Sequence, residues 1–185
     1  RGRFDEELTN EILSGELKKH GKAVIPGFYG SMPDGSTKTF SRGGSDITGA
    51  IVARAVQAEV YENWTDVSGF MVADPRIVKD SKPIKRVTYR ELRELSYMGA
   101  TVLHDEAVFP VRNAGIPIHI KNTNEPEAPG TVIVNEPQLS EIQPGSITGI
   151  AGKKDFTVVA IYKNRMNTEI GFVRRLLTVL EENNI

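Results

Sequence analysis

The chain has 185 residues, 39% of them hydrophobic, and its 23 Lys and Arg against 24 Asp and Glu leave a formal charge of −1. That length suits one domain, or one domain plus part of another, with a real core, while the near-neutral charge argues against a nucleic-acid partner. With no cysteine and only three histidines, set apart from any zinc spacing, disulfide scaffolds and thiolate metal sites are excluded and no metal site is expected. No apolar run approaches the ~18 residues needed to span a bilayer and no leader pattern opens the chain, so the cytoplasm is the expected compartment and no membrane partner is expected.

In chain order, residues 5–19 place Leu8, Ile12, Leu13 and Leu17 on one face before Gly21, which predicts an amphipathic helix. Ala23 to Gly30 is apolar and ends in small residues, which predicts a strand with Pro26 near its end. Pro33-Asp34-Gly35 is turn chemistry that brings the chain back through Thr39-Phe40. Ser41-Arg42-Gly43-Gly44-Ser45-Asp46 follows. Paired glycines let the backbone approach a ligand, a helix start offers unpaired N–H groups to an anion, and Arg42 supplies a planar fork for a carboxylate or phosphate. The same residues also suit a plain turn with Ser45 or Asp46 as N-cap, and alone they leave both readings open.

Ile47, Ala50, Ile51, Ala55 and Ala58 recur at three and four, predicting a helix, and Glu59 to Trp64 reads as a strand with Trp64 in the core. Strand, helix and strand are expected to form a βαβ unit, with parallel strands and both carboxyl-end loops on one rim. Asp66 and Arg76, on the loop after the second strand, are then placed to reach one cleft; a salt-bridged loop is the competing reading. Thr88 and Glu91 form a capping-box pattern opening a helix through Leu92, Leu95 and Met98 to Gly99. A second helix is expected from His104 to Ala114, with Ala107, Val108 and Val111 inward and His104 structural. Strands follow at Ile116–Ile120 and Thr131–Val134, and Asn135 to Ser146 reads as a linker. Beyond it, a strand over Phe156–Tyr162 and a helix marked by Ile170, Val173, Leu176, Leu177 and Leu180, capped by Thr168 or Asn167, make half a module. The expected division is 1–134, a linker at 135–146, and 147–185.

Gly27-Phe28-Tyr29-Gly30, Phe40-Ser41-Arg42-Gly43-Gly44-Ser45-Asp46, Trp64-Thr65-Asp66-Val67, Ala73-Asp74-Pro75-Arg76 and Met98-Gly99-Ala100-Thr101-Val102-Leu103-His104, in this order, resemble aspartate kinase. The resemblance runs from about Val24 to Ile185, and Ile147-Thr148-Gly149-Ile150-Ala151 is similar to the entry of that family's ACT regulatory region. It implies an α/β fold, the αβα sandwich of the amino-acid kinases, followed by an incomplete α+β ACT module. It also implies transfer of the ATP γ-phosphoryl group, with Mg²⁺, to the β-carboxylate of L-aspartate, giving 4-phospho-L-aspartate for lysine, threonine and methionine biosynthesis.

By position, the resemblance puts Arg42 and Asp46 in catalytic roles, with Arg42 on the substrate α-carboxylate and Phe28, Ser45 and Asp46 around the amino acid. Thr65, Asp66, Met71 and Arg76 would face the nucleotide. Met166, Asn167, Thr168 and Glu169 would bind a lysine or threonine effector, and ACT modules would pair into a homo-oligomer. Met71 stands where many relatives have tyrosine, and Thr101 where they have lysine. The family's Lys-Phe-Gly-Gly-Ser/Thr stretch has no counterpart here, so these residues alone are expected to be inactive. Two further readings are another amino-acid kinase, against which Arg-Gly-Gly-Ser-Asp and the ACT-like tail weigh, and a non-catalytic regulatory subunit, against which the rim motifs weigh.

Overall fold

The computed structural model of the chain describes residues 4–40, 43–98, 103, 105–136, 147–152, 154, 155 and 157–184, the side chains of 105–107 and 167 excepted. Arg42, Thr101, His104, Gly99 and most of the expected linker lie outside the described residues. Two compact units are present, Arg1–Lys153 and Lys154–Ile185. In the first, helix α1 (Glu6–Leu17) is followed by strands β1 (Tyr29–Ser31) and β2 (Thr37–Thr39), helix α2 (Gly44–Ala55), β3 (Tyr61–Thr65), β4 (Arg86–Thr88), α3 (Tyr89–Tyr97), α4 (Asp105–Asn113), β5 (Ile118–Asn122) and β6 (Thr131–Val134).

The main sheet runs β3-β5-β6-β4. Tyr61 to Thr65 pair in parallel with Ile118 to Asn122, β5 is antiparallel to β6, and β6 is parallel to β4. Alternation along the strands sends Asn63, Ile118, Ile120, Thr131 and Ile133 to one buried face, where they meet Ala50 and Ala53 of α2, Leu92 of α3 and Val108 and Val111 of α4 in a single core. The small residues of α2 let it lie close: a Cβ on Gly49 would come within 2.4 Å of the Tyr61 hydroxyl.

The expected βαβ unit takes a different form. Among the described residues β1 and β2 pair only with each other, as a hairpin closed by Asp34, whose carboxylate accepts from the Ser36 N–H and hydroxyl. The parallel partner of β3 is therefore β5, reached through α3 and α4. Residues 23–27 are not a strand, and Val24 is fully exposed, because no strand among the described residues offers that segment a ladder. Trp64, expected in the core, lies on the outward phase of β3, 45% exposed, with the Lys121 ammonium 4.7 Å from its ring centroid. On α1 only Leu13 of the expected apolar face packs, with Phe4, against Ile47 and Ile51; Leu8 and Ile12 are exposed.

The capping box is present in full, with Thr88 and Glu91 exchanging hydrogen bonds at the start of α3, and β6 has its expected bounds. β4, hidden among basic residues, has no forecast.

Residues 147–152, expected with the tail, belong to the first unit. Thr148 Oγ1 donates to Glu91 Oε1 at 2.6 Å and the Ile150 N–H to the Val72 carbonyl at 2.6 Å. In the second unit, residues 157–163 form no strand, Val158 and Tyr162 being almost wholly exposed. A 3₁₀ turn at Met166–Thr168 precedes helix α5 (Phe172–Glu182), whose N-cap is Gly171 at φ 77° rather than Thr168 or Asn167.

Candidate functional site

Three of the four residues expected around an amino acid gather at the amino end of α2. Gly43 enters the helix at φ 81°, and Gly44 follows because the Phe28 ring lies where a Cβ would stand, 2.7 Å away. Phe28 itself has φ 82°, a left-handed backbone that costs an aromatic residue of order 1–3 kcal/mol. Two bonds hold it there: its N–H donates to Thr48 Oγ1 at 3.0 Å, and its carbonyl accepts from the Phe40 N–H at 2.8 Å. Its ring is half-exposed, and Ser45 is exposed. Gly27, Ser45, Thr48 and Gly49 line a groove of about 490 Å³ that continues along Tyr61 and Glu62.

Asp46, partly buried in the first turn of α2, has its carboxylate engaged from beneath. Asn63 Nδ2 donates to Asp46 Oδ1 at 3.0 Å and to the Tyr61 hydroxyl at 3.0 Å, while that hydroxyl donates to the Asp46 carbonyl at 3.3 Å. Burial pushes the Tyr61 phenol above its ordinary range, the Asn63 bond works against this, and the Asp46 charge adds to it. Tyr61 therefore keeps its proton and its donor role across the neutral range.

The residues expected to face a nucleotide stand where β3 ends. The Thr65 carbonyl accepts from both the N–H and the hydroxyl of Thr123, at 2.8 and 2.9 Å, and the exposed Asp66 accepts from the Thr65 hydroxyl at 3.3 Å. Gly69, at φ 97° with the Thr131 hydroxyl where a Cβ would be, turns the chain inward to Phe70. From there residues 70–84 leave and return on a closed base. Ile84 donates to Phe70, Val72 to Lys82, and Met71 bridges Pro83. The tip carries Arg76, whose guanidinium chelates Asp74 through Nε at 3.0 and 3.1 Å and an NH2 at 2.7 Å, with 87% of its side chain exposed. Those bonds hold the Asp74 carboxyl below its usual range. Among the described residues no bond joins Asp66 to Arg76; the guanidinium's resident partner is its loop neighbour.

Sequence reading missed Asn63. The available signal was a polar residue at the inward phase of an alternating strand, where an apolar one is usual. It also missed the Asn122 to Ser68 to Glu125 chain, 2.8 and 3.0 Å long, that ties the loop after β3 to the loop after β5. In the tail, Glu169 pairs with both Lys163 and Arg175, and Thr168 Oγ1 donates to the Arg165 carbonyl at 2.9 Å. Met166 lies in the 3₁₀ turn.

Residues 3–122 match the model of the amino acid kinase family. Aspartokinase 3 of Bacillus subtilis is 48% identical over 168 residues, which is 91% of this chain and 36% of that protein. The solved aspartate kinase of Clostridium acetobutylicum superposes with a TM-score of 0.89 at 59% identity, over 98% of this chain and 41% of that one. E. coli aspartokinase III, solved with aspartate and ADP, gives 0.63 at 36% identity over 72% of this chain and 30% of that one. The same enzyme with lysine and aspartate gives 0.65 at 28% over 97% and 39%. The chain thus spans little more than a third of the curated relative and at most about two fifths of these solved ones. With a fold of the amino-acid-kinase α/β class and a family match over most of its length, the chain belongs to the amino acid kinase family.

Proposed function

We propose that these residues form part of an aspartate kinase: the acceptor-binding rim and part of the nucleotide rim of a catalytic domain, followed by the opening of a regulatory region. The observation that supports this best is the gathering of Phe28, Ser45 and Asp46 on the amino end of α2, in a chain whose solved relative was captured with aspartate and ADP. In this reading a β-carboxylate oxygen of L-aspartate attacks the γ-phosphorus of ATP, the bond to the bridging oxygen breaks, and ADP leaves. Arg42 grips the α-carboxylate by its bidentate fork. Asp46 and Ser45 take the ammonium and Phe28 walls the pocket, so the acceptor oxygen is delivered in line.

Thr65, Asp66 and Met71 border the nucleotide, and Arg76 exchanges Asp74 for its phosphates. Mg²⁺ would be carried in on the phosphates with few protein ligands, beside the exposed Asp66 carboxylate at the end of β3. Bound there, the ion would neutralise phosphate charge. A lysine stretch and further sheet and helix layers of a longer protein would complete the domain, and Met166, Asn167, Thr168 and Glu169 would meet a lysine or threonine effector once further strands pair with residues 154–185 and couple two copies. Lysine is favoured because a solved relative holds it.

The test is steady-state kinetics of ADP release on the full-length protein bearing this chain. Arg42→Lys is expected to raise the aspartate KM at least tenfold with the ATP KM within twofold, because a point charge loses the bidentate geometry. Equal effects on both substrates would rule out this assignment of Arg42.

A further inference from the structure

We propose that Asn63 is the positioning residue for Asp46, and that β3 serves the acceptor site through it as well as the nucleotide site through Thr65. The inference rests on the aspartate kinase reading above. Asn63 is 8% exposed, and its amide spends both hydrogens on this task, one on Asp46 Oδ1 at 3.0 Å and one on the Tyr61 hydroxyl at 3.0 Å. A carboxylate accepts only, so the nitrogen of the amide must face it and the orientation is determined. Tyr61 supports the same turn of α2 by donating to the Asp46 backbone carbonyl, and Gly49 leaves the room its ring needs.

One oxygen of Asp46 is thereby held on the sheet while the other remains for substrate, and a side chain that would otherwise choose among rotamers keeps one. A buried amide and a partly buried phenol beneath α2 would be a costly way to fill space. Their role is to set the direction of the carboxylate. Asn63 touches no reacting atom in this scheme; it acts through Asp46.

The experiment is a double-mutant cycle on the full-length protein, reading kcat and both KM values alongside thermal stability. Asn63→Leu is expected to lower kcat about 10- to 100-fold, the size of one lost hydrogen bond to a charged group, with the ATP KM within twofold. In an Asp46→Asn background the same substitution is expected to change kcat less than twofold, because the group it acts through is already altered. A lesion of structure alone would multiply through both backgrounds. Tyr61→Phe keeps the ring and serves if Asn63→Leu fails to fold: it should lower kcat by a smaller factor, again only when Asp46 is present. Equal losses in both backgrounds, or a full kcat in Asn63→Leu, would overturn the proposal while leaving the kinase reading intact. A wild-type protein with no aspartate-dependent ADP release would overturn both.

Discussion

At the scale of single residues, the rim is built from conformations and partners that cost something locally. Phe28 keeps a left-handed backbone only because Thr48 and Phe40 hold it on both sides, and such strain gathers where a side chain must be aimed. Arg76 shows the opposite economy: 87% of its side chain is in solvent, and Asp74 occupies its fork. An exposed pair of this kind contributes little to stability, and in the proposed reading it holds the guanidinium extended for the phosphates. Arg76→Ala is expected to weaken ATP binding to the full-length protein by about 1–3 kcal/mol, the range of hydrogen bonds to a charged group, with aspartate affinity unchanged. Titration calorimetry with each substrate checks it, and an unaltered ATP affinity would exclude a phosphate contact.

At the scale of elements, the start of α3 joins three parts of the first unit. Thr88 ends β4 and caps α3, Glu91 closes the box, and the other oxygen of Glu91 accepts from Thr148, far along the chain. Burial pulls the Glu91 carboxyl upward, but the bonds from the Thr148 hydroxyl and from the Thr88 N–H and hydroxyl outweigh it, leaving it below the usual range. A carboxyl depressed on folding lends stability above its ordinary value, about 4.3, and that contribution is lost as pH falls through the lower folded value. Glu91→Gln should therefore flatten the acid limb of stability against pH. Urea unfolding of the full chain at pH 7 and pH 3.5 measures this: the gap between wild type and variant is expected to shrink at the lower pH. An equal gap at both would show that the charge of Glu91 contributes nothing to the cap.

At the scale of the whole molecule, the two units differ in how fully their apolar groups find partners. In the first, Ile118, Ile120, Ile133 and Val111 have no exposure at all. In the second, Val158, Tyr162 and Ile170 are almost entirely in solvent, and α5 leaves Val173 and Leu177 exposed on its apolar side. Residues 157–163 have the β-branched composition of a strand without the ladder that makes one. In this 185-residue chain as a monomer at low concentration, the amides of Val158 to Ile161 are expected to exchange with solvent hydrogen at rates near those of an unfolded peptide, while those of Ile118 to Ile120 stay protected. Strong protection of Val158 to Ile161 in a proven monomer would show that the unit is complete without further strands.

Local chemistry is what the sequence determined by itself. The Thr88 and Glu91 box, the strand at Thr131–Val134, the inward Val108 and Val111, and the stop at Gly115 follow from short-range hydrogen bonding, alternation and helical period, all of which are written within a few residues. The motif order from Gly27 to Arg76 likewise sufficed to indicate the family. Tertiary structure alone decided which strands pair. A strand is completed by a neighbour remote in sequence, so β3 took β5 where the hairpin had been expected, residues 23–27 and 157–163 stayed irregular without a ladder, and Trp64 turned outward. It also decided that Asn63 lies beneath Asp46. Those side chains belong to different elements, and only the packing of α2 on the sheet brings an amide and a carboxylate 17 residues apart to within 3.0 Å.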